Sequence, residues 1–397
     1  MYNAQPCPDD CERVAPMRQL ILACLLLLLV LVSGAAAGQI PIPTPAAPSV
    51  GAAAHVLMDA RSGQVLAENN ADEARDPASL VKMMTAYVVF SELREGNIDL
   101  DELVTVSERA WRTPGSRMFI EPGDNVRVGD LIRGVIIQSG NDACVALAEH
   151  IAGDEQTFAQ VMNSYAEQLG MENTYFANAT GLPDEAMKTT ARDTALLARA
   201  IVRDFPEYYG WYSERSFTWN DIRQSNRNRL LWRDSSVDGL KTGHTSAAGY
   251  NLAASAEREG TRLISVVLGT ASEQARADQT QSLLNYGFRF FETHRLYDEG
   301  EELTRTRVWK GDMEDLGVGI ADELYVTIPR RQYENLEARL RLDEPLIAPI
   351  EAGQPVGRLI IRLQGEVMHE EPLLARETVA EGSLWRRLVD DVLLRFQ

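Results

Sequence analysis

Ser79 and Lys82 stand three residues apart in the run Asp76-Pro-Ala-Ser-Leu-Val-Lys-Met-Met-Thr-Ala-Tyr87. On a helix the two side chains share a face and can meet, so an amine could take the proton of the serine hydroxyl with no histidine involved. The same spacing, taken alone, also describes a capped amphipathic helix with a solvated lysine. Two further polar breaks interrupt apolar sequence, Gln138-Ser139-Gly140-Asn141-Asp142 and Asp238-Gly239-Leu240-Lys241-Thr242-Gly243-His244-Thr245. Burying the Ser139 hydroxyl and the Asn141 amide is costly without partners, although Asn141 or Asp142 could simply cap the helix that follows. Lys241 and Thr242 lie between two glycines, which let a backbone or a ligand come close; a plain turn is the ordinary reading of Lys-Thr-Gly by itself.

The elements that would carry these groups are legible in the pattern. Pro77 confines Asp76 to extended backbone, then Leu80, Met83, Met84 and Tyr87 recur at helical spacing up to a glycine cap at Gly96. Leu131, Ile132, Val135 and Ile136 form one helical face that stops at Ser139, and a second helix runs on through Cys144, Leu147, Ala148 and Ile151. The loop carrying Gly115 to Met118, between two short extended pieces, is expected over the site. Phe158 to Leu169 and Thr190 to Val202 complete a mainly helical lobe. A hairpin from Ala53 to Glu68, with strands at Asp238–Thr245, Tyr250–Ala256 and Arg262–Gly269, predicts an antiparallel sheet, followed by a helix over Ala275–Phe291. From Leu303 to Thr378 short alternating runs predict a small separate β domain. Leu384, Trp385, Leu388, Val389, Val392, Leu393 and Phe396 then line one face of a terminal helix, opposed by Arg386, Arg387, Asp390, Asp391 and Arg395. That helix is too short and too charged to span a bilayer; it suits a headgroup region, or docking onto the β domain.

Composition bounds the function. A chain of 397 residues with 45% hydrophobic and 24% charged residues allows two or three globular domains, and a formal net charge of -19 argues against nucleic-acid binding. Arg18, the apolar run Leu20 to Val32 and the small residues Ser33 to Ala37 read as a secretory signal over residues 1–37, with Met17 a possible true start. Cys7, Cys11 and Cys24 fall inside it, so the mature chain keeps only Cys144 and can form no intramolecular disulfide. His55, His150, His244, His294 and His369 are scattered with no pair at ligand spacing, so neither a metal nor another cofactor is expected.

Ser-x-x-Lys opening a helix, Ser-x-Asn between two helices and Lys-Thr-Gly on a strand occur in the order found in serine β-lactamases and penicillin-binding proteins. With Asn226-Arg227-Asn228, Tyr286-Gly287-Phe288-Arg289-Phe290-Phe291, the signal, the β domain and the tail, the mature chain closely resembles the low-molecular-mass penicillin-binding proteins that are D-alanyl-D-alanine carboxypeptidases. The resemblance implies an α/β fold: a penicillin-binding-protein/serine β-lactamase-like domain, antiparallel sheet plus helical lobe, over 38–295. A β-rich domain over 296–379 and an amphipathic, membrane-associating helix over 380–397 follow it. It implies Ser79 as nucleophile, Lys82 as its base and Ser139 as proton relay. Asn141 would hold the substrate amide, Lys241 the Ser139 hydroxyl, the His244 N–H half of an oxyanion hole, and Thr242 with Arg276 the terminal carboxylate. Arg227 is a further contact. The implied substrate is a peptidoglycan stem pentapeptide, with β-lactams as covalent inhibitors, on the periplasmic face of the bacterial inner membrane; no oligomeric state follows. Two rivals share the motifs, a β-lactamase of the same fold and a catalytically silent peptidoglycan-binding protein. The acidic residues of 153 to 193 offer no Glu-x-x-Leu-Asn context for the first, and the intact serines and lysines speak against the second.

Overall fold

A computed structural model describes residues 44–396 of the chain. The expected signal segment, Met17, Cys7, Cys11 and Cys24 lie outside the described residues.

Five antiparallel strands form the central sheet, in the order Val65–Asn69, Ala54–Asp59, Thr261–Thr270, Gly249–Arg258, Val237–Thr245. The sequence Leu263-Ile-Ser-Val-Val-Leu268 is apolar almost without alternation because both sides of this strand are covered. Ile264, Val266 and Leu268 pack into the helical lobe, while Leu263 and Val267 face Leu283, Leu284 and Phe288 of the Glu273–Phe290 helix. Val237–Thr245 closes one side of the sheet, so the Lys241 strand has an edge open to the helical lobe.

The Val81–Glu95 helix is buried from Val81 through Ser91 and ends at Gly96 with φ 75°. It is covered all round, which is why its apolar residues do not make a single stripe. The lobe around it contains helices Val128–Arg133, Asn141–Ala152, Glu155–Gln168 and Ala191–Asp204. Between the first two lies a π turn, Gly134–Gln138, closed by Ser139 in the left-handed region at φ 65°. The change of backbone hand there is what points the Ser139 side chain away from the helix it follows.

The Glu273–Phe290 helix passes straight into strand Phe291–Tyr297, which pairs with Leu324–Pro329. This strand thus opens five residues ahead of position 296, where the β domain was expected to begin, because aromatic spacing alone cannot separate the last helical turn from the first strand residues. A six-stranded sheet follows, ordered Leu336–Leu342, Pro355–Leu363, Glu366–Ala375, Asp315–Gly319, Glu302–Trp309, Leu346–Ile347, around Leu316, Val318, Leu359, Ile361 and Leu373.

The terminal helix, Leu384–Leu393, is capped by Ser383 and docks through its polar side. Asp390 is buried and accepts the Lys310 N–H at 2.6 Å, and the Lys310 ammonium meets Asp391 at 2.5 Å. The apolar face is left outward, with Trp385 77% and Phe396 85% exposed. No helix among the described residues is long and apolar enough to cross a membrane.

Candidate active site

Ser79 sits in a single 3-10 turn, Ala78–Leu80, that feeds the buried helix. Ala78 has φ 49°, a conformation that costs a non-glycine residue on the order of 1 kcal/mol or more and persists only where its surroundings impose it. Those surroundings are specific. Asn251 donates from Nδ2 to the Asp76 carbonyl at 3.1 Å and the Pro77 carbonyl at 3.3 Å, while its Oδ1 accepts the Gly269 N–H at 2.8 Å. Two glycines press on the same turn: a Cβ at Gly181 would stand 2.0 Å from the Ala78 carbonyl oxygen, and one at Gly243 would stand 2.9 Å from that of Pro77. The Ser79 backbone is therefore held between a loop and the edge strand, with no room for a side chain on either.

Lys82 Nζ lies 3.2 Å from Ser79 Oγ and donates a short hydrogen bond to the Thr180 carbonyl. That carbonyl is fixed by an Asx turn in which Asn178 Oδ1 accepts the Thr180 hydroxyl at 2.9 Å and the Gly181 N–H at 2.8 Å. Across the site Lys241 Nζ lies 2.9 Å from Ser139 Oγ and 3.1 Å from the Thr242 carbonyl oxygen. Asn141 does not cap its helix. Its backbone N–H donates to the Ser116 carbonyl at 2.7 Å and its side-chain amide to the Pro114 carbonyl at 2.6 Å. The buried Asp142 carboxylate accepts the N–H groups of Met118 at 2.8 Å and Phe119 at 2.9 Å. The loop expected over the site is thus moored to it by four hydrogen bonds.

Both lysines are buried, and burial pulls each ammonium below its ordinary range. For Lys82 the Arg227 charge adds to the effect while Asp142 and Glu155 oppose it; for Lys241, which is driven well below its usual value, the charges of Lys82 and Arg227 reinforce burial. The Cys144 thiol beneath them is pushed up to about 12 by burial, so it stays neutral and supplies no counter-charge. Burial leads in the lowering at Lys82, and Arg227 is the added cationic cause. Arg227 itself is exposed and forms no hydrogen bond or ion pair among the described residues, so its reach is electrostatic.

Arg276 projects from the Glu273–Phe290 helix, is buried, and donates to the Gly243 carbonyl at 3.3 Å with its guanidinium over the Tyr250 ring. His244 is exposed and its ring stacks on Tyr250 at 4.0 Å between centroids, while its neighbour Gly243 lies against the Pro77–Ser79 turn. The fold therefore gathers Ser79, Lys82, Ser139, Lys241 and Thr242, with Asn141, Arg276 and His244 around them. Sequence reasoning missed Thr180, Gly181, Asp142 and Asn251 as positioning residues. Asn178-Ala-Thr180-Gly181 carried a turn signal that could have been found; Asn251, inside an apolar strand, carried none. No cluster of His, Cys, Asp and Glu among the described residues could hold a metal ion.

A family profile described as D-alanyl-D-alanine carboxypeptidase matches residues 42–272. The chain belongs to this family. A second profile, for the C-terminal domain of penicillin-binding protein 5, matches residues 291–381 of this carboxypeptidase-family chain. It is 49% identical over 358 residues to the D-alanyl-D-alanine carboxypeptidase DacC of Escherichia coli (strain K12), covering 88% of this chain and 90% of that protein. Its fold matches the crystal structure of penicillin-binding protein 5 from Haemophilus influenzae with a TM-score of 0.82 at 43% identity, over 86% of this chain and all of the other. The ampicillin-bound penicillin-binding protein D2 of Listeria monocytogenes aligns with 61% of the chain and 100% of its own length at 31% identity, TM-score 0.56. Both parts of the family architecture, a helical-plus-sheet catalytic domain and an all-β domain after it, are present.

Proposed function

We propose that this carboxypeptidase removes the terminal D-alanine from peptidoglycan pentapeptides through an acyl-enzyme on Ser79. The observation that carries the assignment is the placing of Ser79 Oγ 3.2 Å from a buried lysine whose ammonium is disfavoured, opposite a second buried serine–lysine pair. Neutral Lys82 accepts the Ser79 proton as Oγ attacks the carbonyl of the penultimate D-alanine. The backbone N–H groups of Ser79 and His244 receive the oxyanion, each such donor being worth about 3 kcal/mol. Ser139, held by Lys241, passes a proton to the leaving amine; the C–N bond breaks and D-alanine departs. Water then hydrolyses the ester and restores Ser79. Thr242 and Arg276 take the terminal carboxylate, Asn141 the substrate amide, and Arg227 contributes positive potential at the mouth. A β-lactam enters by the same attack on its ring amide, but its amine stays tethered and blocks the water step.

Release of D-alanine from a pentapeptide, together with slow turnover of penicillin, is the expected result. Rapid penicillin hydrolysis without D-alanine release would instead assign a β-lactamase.

Export through residues 1–37, a catalytic unit over 38–295, a β spacer over 296–379 and a membrane-associating helix over 380–397 complete the reading. The outward apolar face of the Leu384–Leu393 helix supports peripheral attachment at the periplasmic face of the inner membrane. Removing residues 380–397 is expected to move the protein from the membrane to the soluble fraction while D-alanine release continues. Retention at the membrane would remove the tail from the account.

A further inference from the structure

From the strand Ile222–Ser225 into the one-turn helix Leu230–Arg233 the chain alternates in burial. Gln224, Asn226, Asn228 and Leu230 are buried, and Arg223, Arg227 and Arg229 stand between them in solvent. The buried amides fix this path. Asn226 donates to the Glu214 carbonyl at 3.1 Å; Asn228 donates to the Gly239 carbonyl at 2.9 Å, and its Oδ1 accepts the Leu230 N–H at 3.1 Å. Residues 223–233 thus carry Arg223, Arg227, Arg229 and Arg233 with no acidic residue among them, on a chain of formal net charge -19. Arg229 pairs with Glu273 at 3.0 Å and Arg233 with Asp278 at 2.8 Å. Arg223 reaches only the Ser216 hydroxyl at 3.4 Å, and neither it nor Arg227 has a carboxylate partner among the described residues. Trp232 stands among these charges 49% exposed. Arg215 backs it: the guanidinium lies 6.0 Å from the ring centroid and donates to the Leu231 carbonyl at 3.1 and 2.7 Å. An indole held in this way offers apolar surface that needs little further ordering on contact.

The strip starts at the site. The charge of Arg227 bears on Lys82, Lys241 and Arg276, and from there the ion pairs of Arg229 and Arg233 lead along the Glu273–Phe290 helix. The proposed steps assign nothing to Arg223, Trp232 or Arg233. A ligand for this surface must bring carboxylates to the unmatched guanidinium groups and a broad C–H face to the indole. A sugar polymer with acidic peptide stems meets both demands, and it is the material that carries the pentapeptide in the proposed function, on which this inference rests. We propose that the strip from Arg223 to Arg233 docks a neighbouring strand of that polymer, with a sugar ring on Trp232 and stem carboxylates at Arg223 and Arg227. Docking of this kind raises the local concentration of pentapeptides at Ser79 and leaves the chemistry there unaltered.

The test measures D-alanine release by the full chain from insoluble peptidoglycan rich in pentapeptide and from a free soluble pentapeptide, and takes the ratio of the two rates. Trp232→Ala with Arg223→Gln is expected to lower that ratio about tenfold while release from the free peptide is kept. Trp232→Phe alone, which retains an aromatic face, should leave most of the ratio in place. Added salt should weaken polymer binding by the wild-type chain more steeply than by the double variant. An unchanged ratio overturns the docking surface. So does an equal loss on both substrates, which would make these residues supports of the fold. Binding to phosphatidylglycerol vesicles that falls in the double variant, with polymer binding kept, would assign the strip to the membrane and overturn the proposal as well. Failure of the wild-type chain to release D-alanine from either substrate, with penicillin labelling intact, overturns the carboxypeptidase reading itself and this surface with it.

Discussion

Ser79→Ala is expected to lose covalent labelling by a fluorescent penicillin altogether and to release D-alanine about 10⁴-fold more slowly, or less than can be measured. The size of the loss follows from the chemistry: without Oγ there is no ester intermediate, and what remains is binding and the oxyanion donors. The substitution is mild for the fold, since Ser79 is only half-buried and the turn around it is held by Asn251, Gly181 and Gly243 through backbone atoms. An unchanged melting curve with labelling abolished is the expected pair of observations. Labelling that survives would move the nucleophile elsewhere, Ser139 being the other serine beside a buried lysine.

Lys82→Arg tests the base. Guanidinium keeps its proton at any usable pH, so acylation is expected to fall about 10³-fold although charge and hydrogen bonding at the position are largely kept. The wild-type pH profile carries the sign. In the proposed steps Lys82 acts when neutral, and its value in the fold is lowered from 10.5, so acylation should rise with pH and level off below the range of an ordinary lysine. In the arginine variant that acidic limb should disappear. Its persistence would assign the titration to Lys241, whose ammonium is disfavoured more strongly still.

The sequence carried the chemistry and the order of the elements well, and their mutual support poorly. Ser79, Lys82, Ser139 and Lys241 stood out because each breaks an apolar pattern or sits at a chemically meaningful spacing. The Val81–Glu95 helix and the central strands were legible from periodicity and apolar runs, and Gly96 marked its own cap. What could not be read was contact across long separations. Asn251 holds the carbonyls before Ser79 from a strand some 175 positions away, and nothing local to it signals that role. Within the expected β domain, Asp315–Gly319 and Glu366–Ala375 lie side by side inside the six-stranded sheet, where glycines in one and paired acids in the other leave no clean alternation to read. The terminal helix was recognised as amphipathic, but which face docks depended on Asp390 finding the Lys310 N–H.

The two glycines that crowd the turn before Ser79 also bear on how such an enzyme could come to tell its substrate from an antibiotic. Any side chain added at Gly181 or Gly243 would crowd the atoms of residues 77–79 and displace Ser79, the nucleophile proposed for both molecules. Drug resistance arising at this chain therefore has no inexpensive route through the inner walls. Side chains can change without touching that turn where they are exposed, at Pro114 and Phe119 on one side and from Pro183 to Ala186 on the other.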